Sequence, residues 1–140
     1  MLVVLDTSVL VAGLRSRNGG SNAVLEAVAR GKVTMLASPP LFLEYEEVLL
    51  RPEHREVCGL SQEGVGEFLS ELAAVVRPVQ VHFRWRPQLV DPADEIVLEA
   101  AINGQADVIV THNTRHFARA KEQFGILIWQ PVDLLKRLKR

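Results

Sequence analysis

The chain has 140 residues, of which 48% are hydrophobic, so it is long enough to bury one core and too short for two. The sequence has sixteen basic and seventeen acidic residues, which gives a formal net charge of -1. This balance does not indicate a nucleic-acid binder, so any basic surface must be local. The single cysteine, Cys58, excludes an intramolecular disulfide and a cysteine-based zinc site. We expect one domain over residues 1–140.

Signals for export and for membrane insertion are missing from the sequence. The first five residues carry no cationic segment, and no apolar run approaches the roughly 20 residues that span a bilayer. A chain with one cysteine also suits a reducing compartment. We therefore expect a cytoplasmic protein with no membrane partner.

Aliphatic runs predict four strands, at residues 2–5, 33–37, 107–111 and 126–129, with a weaker candidate at 79–81. Runs of this kind are typical of strands buried on both faces. Helical patterns lie between them at residues 22–30, 41–50, 63–76, 95–103 and 115–124, and a last one follows at 132–139. Alternating strands and helices predict a three-layer α/β/α sandwich around a central, mainly parallel sheet.

Acidic residues stand where such a sheet binds ligands. Asp6 directly follows the first strand, and its carboxylate either faces a crevice at the strand end or caps a following helix. Glu44 lies beside the apolar face of the helix at 41–50. Asp91, Asp94 and Glu95 form an acidic run at the start of the helix at 95–103. Carboxylate oxygens suit hard cations such as Mg²⁺ or Mn²⁺.

Polar residues also follow the strand at 107–111. Thr111, Asn113 and Arg115 place a hydroxyl, an amide and a guanidinium at a strand end, where they are candidates for phosphate contact. His112 and His116 are four residues apart, as zinc ligands on one helix face are. The glutamate of the HExxH motif is missing, so we interpret both histidines as free of metal.

Four segments, taken in order, resemble the PIN-domain family. They are VLDTSVL at residues 4–10, LEYEEVL at 43–49, DPADEIVLEAA at 91–101 and ADVIVTHN at 106–113. The resemblance runs from residue 3 to about residue 131. It is to bacterial and archaeal PIN proteins of toxin–antitoxin pairs, the VapC-like ribonucleases, in particular.

The resemblance implies a Rossmann-like fold and a Mg²⁺- or Mn²⁺-dependent endoribonuclease. Asp6, Glu44 and Asp94 would be its core acids, with Glu95 competing for the third place because the two residues are adjacent. Asn113 stands where the family often has a fourth acid and joins the catalytic candidates. Asp6 and Asp94 would hold the metal, and removal of the metal should leave carboxylates with raised pKa values and a less stable protein.

Hydroxyl and basic residues complete the expected site. Thr7, Ser8 and Thr111 would orient the acids or contact phosphate. Arg15, Arg17 and Arg115 are candidates for RNA contact, as are the arginines beside Trp85 and, less so, the basic tail at 136–140.

Several alternatives were weighed against this interpretation. A haloacid-dehalogenase-like phosphatase needs a second Asp at the position of Ser8, and a receiver domain needs adjacent carboxylates where Thr7 follows Asp6. The alternative that stays open is a catalytically silent PIN fold that binds RNA or a protein. The expected partners are an RNA substrate, an antitoxin protein and a second copy of the chain.

Overall fold

A five-stranded sheet runs through the structure, a computed structural model that describes residues 1–84 and 89–139. The strands are β1 (Leu2–Leu5), β2 (Thr34–Ala37), β3 (Arg77–Pro78), β4 (Val108–Val110) and β5 (Leu127–Trp129). They lie in the order β3-β2-β1-β4-β5, and every neighbouring pair is parallel. The strand order reverses between β1 and β4, which is where ligand crevices open in such sheets.

Helices connect the strands and cover the sheet. Those in the described residues are α1 (Thr7–Arg15), α2 (Gly20–Ala29), α3 (Pro39–Leu49), α4 (Pro52–Cys58), α5 (Gln62–Val75), α6 (Pro92–Asn103), α7 (Ala118–Phe124) and α8 (Pro131–Leu138), with a 3₁₀ turn at Thr114–Phe117. Consecutive residues of β1 and β4 point to opposite faces, yet Val3, Val4, Val108 and Ile109 are all fully buried. Both faces are therefore covered, which confirms the α/β/α sandwich.

Two parts of the element prediction are wrong. The third strand is Arg77–Pro78 rather than residues 79–81, although the Val79 N–H still donates to Ala37 O at 3.0 Å. Helices α1 and α4 were not predicted. Helix α1 is rich in β-branched residues, and its packing against α2 overrides their low helix propensity. Helix α4 buries none of its residues, so it carries no hydrophobic periodicity to detect.

Three helices begin two or three residues earlier than their apolar patterns suggest. Helices α3 and α6 open on prolines at their first positions, after Ser38 and Asp91. The side chains of these two residues accept the N–H groups of Leu41 and Ala93. Helix α2 begins at Gly20, and the predicted helix at 115–124 is divided into the 3₁₀ turn and α7. Within the described ranges, no helix has both the length and the apolar composition to cross a bilayer.

Candidate functional site

An open cleft of about 560 Å³ lies beyond the carboxyl ends of β1 and β4. Its acidic residues are Asp6, Asp91 and Asp94, which come from the end of β1 and the start of α6. This is the point where the strand order reverses, so the two neighbouring strand ends diverge and leave a crevice. The sheet topology thus brings together acids that are more than 80 residues apart in the chain.

Hydrogen bonds hold one carboxylate oxygen of Asp6 in place, and the other oxygen makes none within the described residues. Its N–H donates to Val110 O at 2.9 Å, and its Oδ2 accepts the hydroxyls of Ser8 at 2.8 Å and Thr111 at 2.7 Å. Asp6 is the N-cap residue of α1, but its side chain makes no capping bond to that helix. Oδ1 makes no hydrogen bond to the described residues, and Asp6 lines the cleft.

The two hydroxyls that hold Asp6 also join the loop after β4 to the start of α1. Thr111 Oγ1 accepts the N–H of Asn113 at 2.9 Å, and Ser8 Oγ accepts the N–H of His112 at 3.3 Å. Each hydroxyl therefore donates to the carboxylate while it accepts a backbone N–H. This arrangement fixes the rotamer of the acid before any ligand binds.

Asp94 carries the clearest electrostatic signal in the cleft. It is only 7% exposed, and burial, with the charges of Asp6 and Asp91, raises its pKa from 3.8 to about 6. His116 opposes this shift, because its Nδ1 lies 3.1 Å from Asp94 Oδ2. The carboxylates are therefore close enough to repel one another, and a cation between them would relieve that repulsion.

Glu44 is not among the residues that line the cleft. It is half-buried on α3, and burial together with the charge of Glu47 raises its pKa, with smaller contributions from Asp91 and Asp6. The next residue, Tyr45, is fully buried and donates its hydroxyl to the carbonyl of Leu5. Helix α3 thereby packs directly behind the strand end that carries Asp6.

Adjacent residues at the start of α6 lie in different surroundings. Asp94 lines the cleft, whereas Glu95 is 4% exposed and its Oε1 accepts the N–H of Leu89 at 2.6 Å. Successive side chains on a helix point about 100° apart, so the two carboxylates cannot share one direction. Glu95 is not among the residues that line the cleft.

The remaining candidates divide between the cleft and the outside surface. Thr7, Asn113 and Arg15 line the cleft, and the last two are exposed. Arg17 and Arg115 are exposed but do not line it. The candidate RNA contacts Trp85 and Arg86, and the last tail residue, Arg140, lie outside the described residues.

Five further residues line the cleft: Asp91, His112, His116, Arg51 and His54. Asp91 belongs to the acidic run at 91–95, and the two histidines belong to the polar segment after β4, both of which the sequence had singled out. Arg51 and His54 belong to the turn into α4 and to α4 itself, and that helix was not predicted. The ring of His112 lies against α2, with Nε2 2.7 Å from Ser21 Oγ.

The donor chemistry of the cleft fits a hydrated hard cation. Among the described residues, no three His, Cys, Asp or Glu side chains form a ready-made metal cluster. Mg²⁺ and Mn²⁺ do not need one, because they are often held by one or two carboxylates, several waters and substrate phosphate. The unpaired oxygen of Asp6 and the carboxylate of Asp94 supply that minimum, whereas a closed zinc-type cage is not available in this part of the chain.

Comparisons with known proteins point to one family. The family described as PIN domain matches residues 2–115. Among solved structures, the chain resembles part of the crystal structure of VapBC2 from Rickettsia felis bound to a DNA fragment from their promoter. The TM-score is 0.63 at 14% sequence identity, over 93% of this chain and 98% of that one. No protein with a curated description matches. At this identity the structural likeness establishes the fold.

Proposed function

The chain belongs to the PIN-domain family, and from this premise we propose that it is a Mg²⁺- or Mn²⁺-dependent endoribonuclease that hydrolyses RNA phosphodiester bonds. One observation carries the proposal. Two buried carboxylates, Asp6 and Asp94, line an open cleft at the strand-order reversal, and the charge of one raises the pKa of the other. Two carboxylates that repel each other in the absence of a cation favour the binding of a cation between them.

In this proposal Asp6 and Asp94 hold the metal, directly or through water. The bound cation would activate a water molecule and stabilise negative charge on the attacked phosphate. Asp6 offers Oδ1 for this role, since Ser8 and Thr111 occupy Oδ2. Glu44 does not line the cleft, and its part in the proposal is to add negative potential beside Asp6 and Asp91, with which its carboxylate interacts electrostatically.

Four further candidates take different parts in the proposal. The exposed amide of Asn113 contacts the substrate at the rim of the cleft, as does the hydroxyl of Thr7. We assign Glu95 to holding the backbone at Leu89, because its carboxylate is already engaged there. Of the arginines expected to contact RNA, Arg15 is the one that lines the cleft.

We further propose that the protein is the toxin of a toxin–antitoxin pair, acting in the cytoplasm on RNA and held inactive by an antitoxin. The resemblance in sequence and the fold likeness to a VapBC2 chain support this. A homodimer is part of the same proposal. Sedimentation of the purified chain, alone and co-expressed with the product of an adjacent gene, measures both associations.

The test is cleavage of a labelled single-stranded RNA by the wild type and by Asp6→Asn, each with Mn²⁺, Mg²⁺ or EDTA. An amide oxygen can still accept from Ser8 and Thr111, so the variant should fold normally while the free oxygen becomes an NH₂ group. Asp107→Asn is the matched control. Asp107 precedes β4 at the opposite end of the sheet, and its Oδ2 accepts the N–H of Leu2 at 2.8 Å, a bond that Asn preserves.

Cleavage by the wild type and the Asp107 variant with metal, and by neither protein in EDTA, is the expected result. The Asp6 variant should lose about a hundredfold or more in rate, because replacing even a residue that only orients a metal ligand costs about 10–100-fold in metal affinity or activity. Full activity of the Asp6 variant would refute the site assignment. If no protein cleaves RNA but the wild type binds it, the silent binding module replaces the nuclease.

A further inference from the structure

Basic as well as acidic side chains line the cleft. Arg15, Arg51 and His54 are among its lining residues, and we call them the basic rim. Arg15 is in the last turn of α1, Arg51 is the N-cap residue of α4, and His54 lies in the first turn of α4, which packs against α1. Two neighbouring helices and the residue between α3 and α4 thus supply nitrogen donors to the lining of the cleft.

The side chains of the basic rim make one hydrogen-bonding interaction within the described residues, the exposed pair between Arg51 and Glu47. Within residues 1–84 and 89–139, the side chains of Arg15 and His54 make no hydrogen bond or ion pair. Arg51 binds Glu47 alone, with Nη2 3.0 Å from both carboxylate oxygens. That pair is exposed, at 45% for the arginine side chain and 60% for the glutamate. Exposed pairs add little to stability, so an anion can compete for the guanidinium.

Arg51 also lies close to the acidic site itself. Its charge lowers the pKa of Glu44, while Glu47, Asp91 and Asp6 raise it, so the guanidinium acts on the same carboxylate as the acids of the cleft. An anionic polymer that reaches those acids must pass a region of negative potential. A cation beside them compensates that repulsion and matches a phosphate with its planar pair of donors.

We propose that the basic rim binds the phosphate backbone of single-stranded RNA next to the acidic cleft, and that Glu47 competes with RNA phosphate for Arg51. The inference rests on the proposed function for the identity of the occupant. It extends the RNA contact already proposed for Arg15 to Arg51 and His54, to which neither the sequence motifs nor the family match assigns a role. It also assigns Glu47 a role as a built-in competitor that weakens RNA binding.

The first measurement is the affinity of a labelled 12-nucleotide single-stranded RNA, followed by fluorescence anisotropy in EDTA so that no cleavage occurs. Arg51→Gln should raise Kd about three- to tenfold and reduce the slope of log K against log salt by about 0.7, the value for one phosphate contact on a single strand. Arg15→Gln and His54→Gln should weaken binding in the same direction. Arg30→Gln, an equal charge change after α2 at the opposite end of the sheet, should change neither quantity.

The second measurement isolates the competition. Glu47→Gln should bind RNA about two- to fivefold more tightly, and more tightly than Glu46→Gln, which removes the same charge from the next exposed position of α3. In the Arg51→Gln background, the two glutamate variants should have equal effects, because the pair that Glu47 makes is already gone. Glu46, Glu47 and Arg51 are exposed and His54 is partly buried. Thermal melts check that each variant is folded.

The rim is refuted if the wild type does not bind the oligonucleotide, if Arg51→Gln binds like Arg30→Gln, or if Glu47→Gln behaves as Glu46→Gln does with Arg51 present. The proposed function fails independently, through the cleavage assay with Asp6→Asn. If the wild type cleaves RNA with metal and the Arg51 variant binds RNA as tightly as the wild type, the role of the basic rim is refuted and the nuclease proposal stands. If binding depends on the basic rim but no RNA is cleaved, the nuclease proposal is refuted and the RNA-binding role of the rim stands.

Discussion

Replacement of Asp94 by asparagine should stabilise the metal-free protein. Burial and the charges of Asp6 and Asp91 raise the pKa of Asp94 from 3.8 to about 6. At about 1.4 kcal/mol per pKa unit, the ionised carboxylate destabilises the fold by at most about 3 kcal/mol. Asparagine loses a negative charge in the first turn of α6, which costs about 0.3–1 kcal/mol. We expect a net gain of about 1–2 kcal/mol, or roughly 3–8 °C in Tm.

The effect should depend on pH with a definite sign. Below pH 3.8 the carboxyl of Asp94 is protonated in both states, so the wild type and the variant should differ little. Between pH 3.8 and about 6 the folded state holds the proton more tightly than the unfolded state, so the stability of the wild type falls as pH rises. Above pH 6 the full penalty is present, and the advantage of Asp94→Asn should reach its plateau.

Thermal melts in EDTA and in Mn²⁺, from pH 4 to pH 7.5, measure both effects. Mn²⁺ at a hundred times its Kd would stabilise the wild type by about 2.7 kcal/mol, and it should stabilise the Asp94 variant far less. Asp107→Asn, at the other end of the sheet, should follow the wild type throughout. An Asp94 variant that is less stable than the wild type in EDTA at pH 7.5, or whose advantage is the same at pH 4, would contradict the electrostatic argument.

Three further substitutions test the packing around the site by urea denaturation. Tyr45→Phe should lower the free energy of unfolding by about 1–2 kcal/mol, because it leaves the buried carbonyl of Leu5 without its hydroxyl donor; no loss would mean that another donor replaces it. Gly104→Ala should cost about 1–3 kcal/mol, since the new Cβ would lie 2.8 Å from Val79 Cγ2. Gly66→Ala, on α5 with nothing within 4 Å of the new Cβ, should instead stabilise by about 0.5–1 kcal/mol. Equal effects of the two alanines would refute the crowding at Gly104.

Local patterns were sufficient to place the main acids of the cleft. Asp6 follows a fully apolar run, and a buried parallel strand must end where its apolar run ends, so its position at a strand end could be read directly. The acidic run at 91–95 likewise marked the start of α6. The sequence could not separate Asp94 from Glu95, because their difference depends on the direction in which α6 presents each side chain and on the backbone at Leu89.

The basic residues of the cleft were not predictable by the same means. Helix α4 has no buried residue, so no hydrophobic period distinguishes it from a loop. Without that helix, nothing in the sequence brings Arg51 or His54 beside Arg15. The contact between His116 and Asp94 was missed for a related reason, since it joins residues from α6 and the turn after β4 that approach each other only in the folded sheet.

The sequence by itself determined the alternation of strands and helices, the parallel sheet and the residues that end its strands, because these follow from hydrophobic period and from proline, glycine and capping residues along the chain. Only the tertiary structure decided which acids face one another and which oxygen of Asp6 remains available. The tertiary structure also decided which basic residues line the same cleft as these acids. Distances and burial depend on how distant segments pack, and the pKa of Asp94 is raised by neighbours that no local pattern encodes.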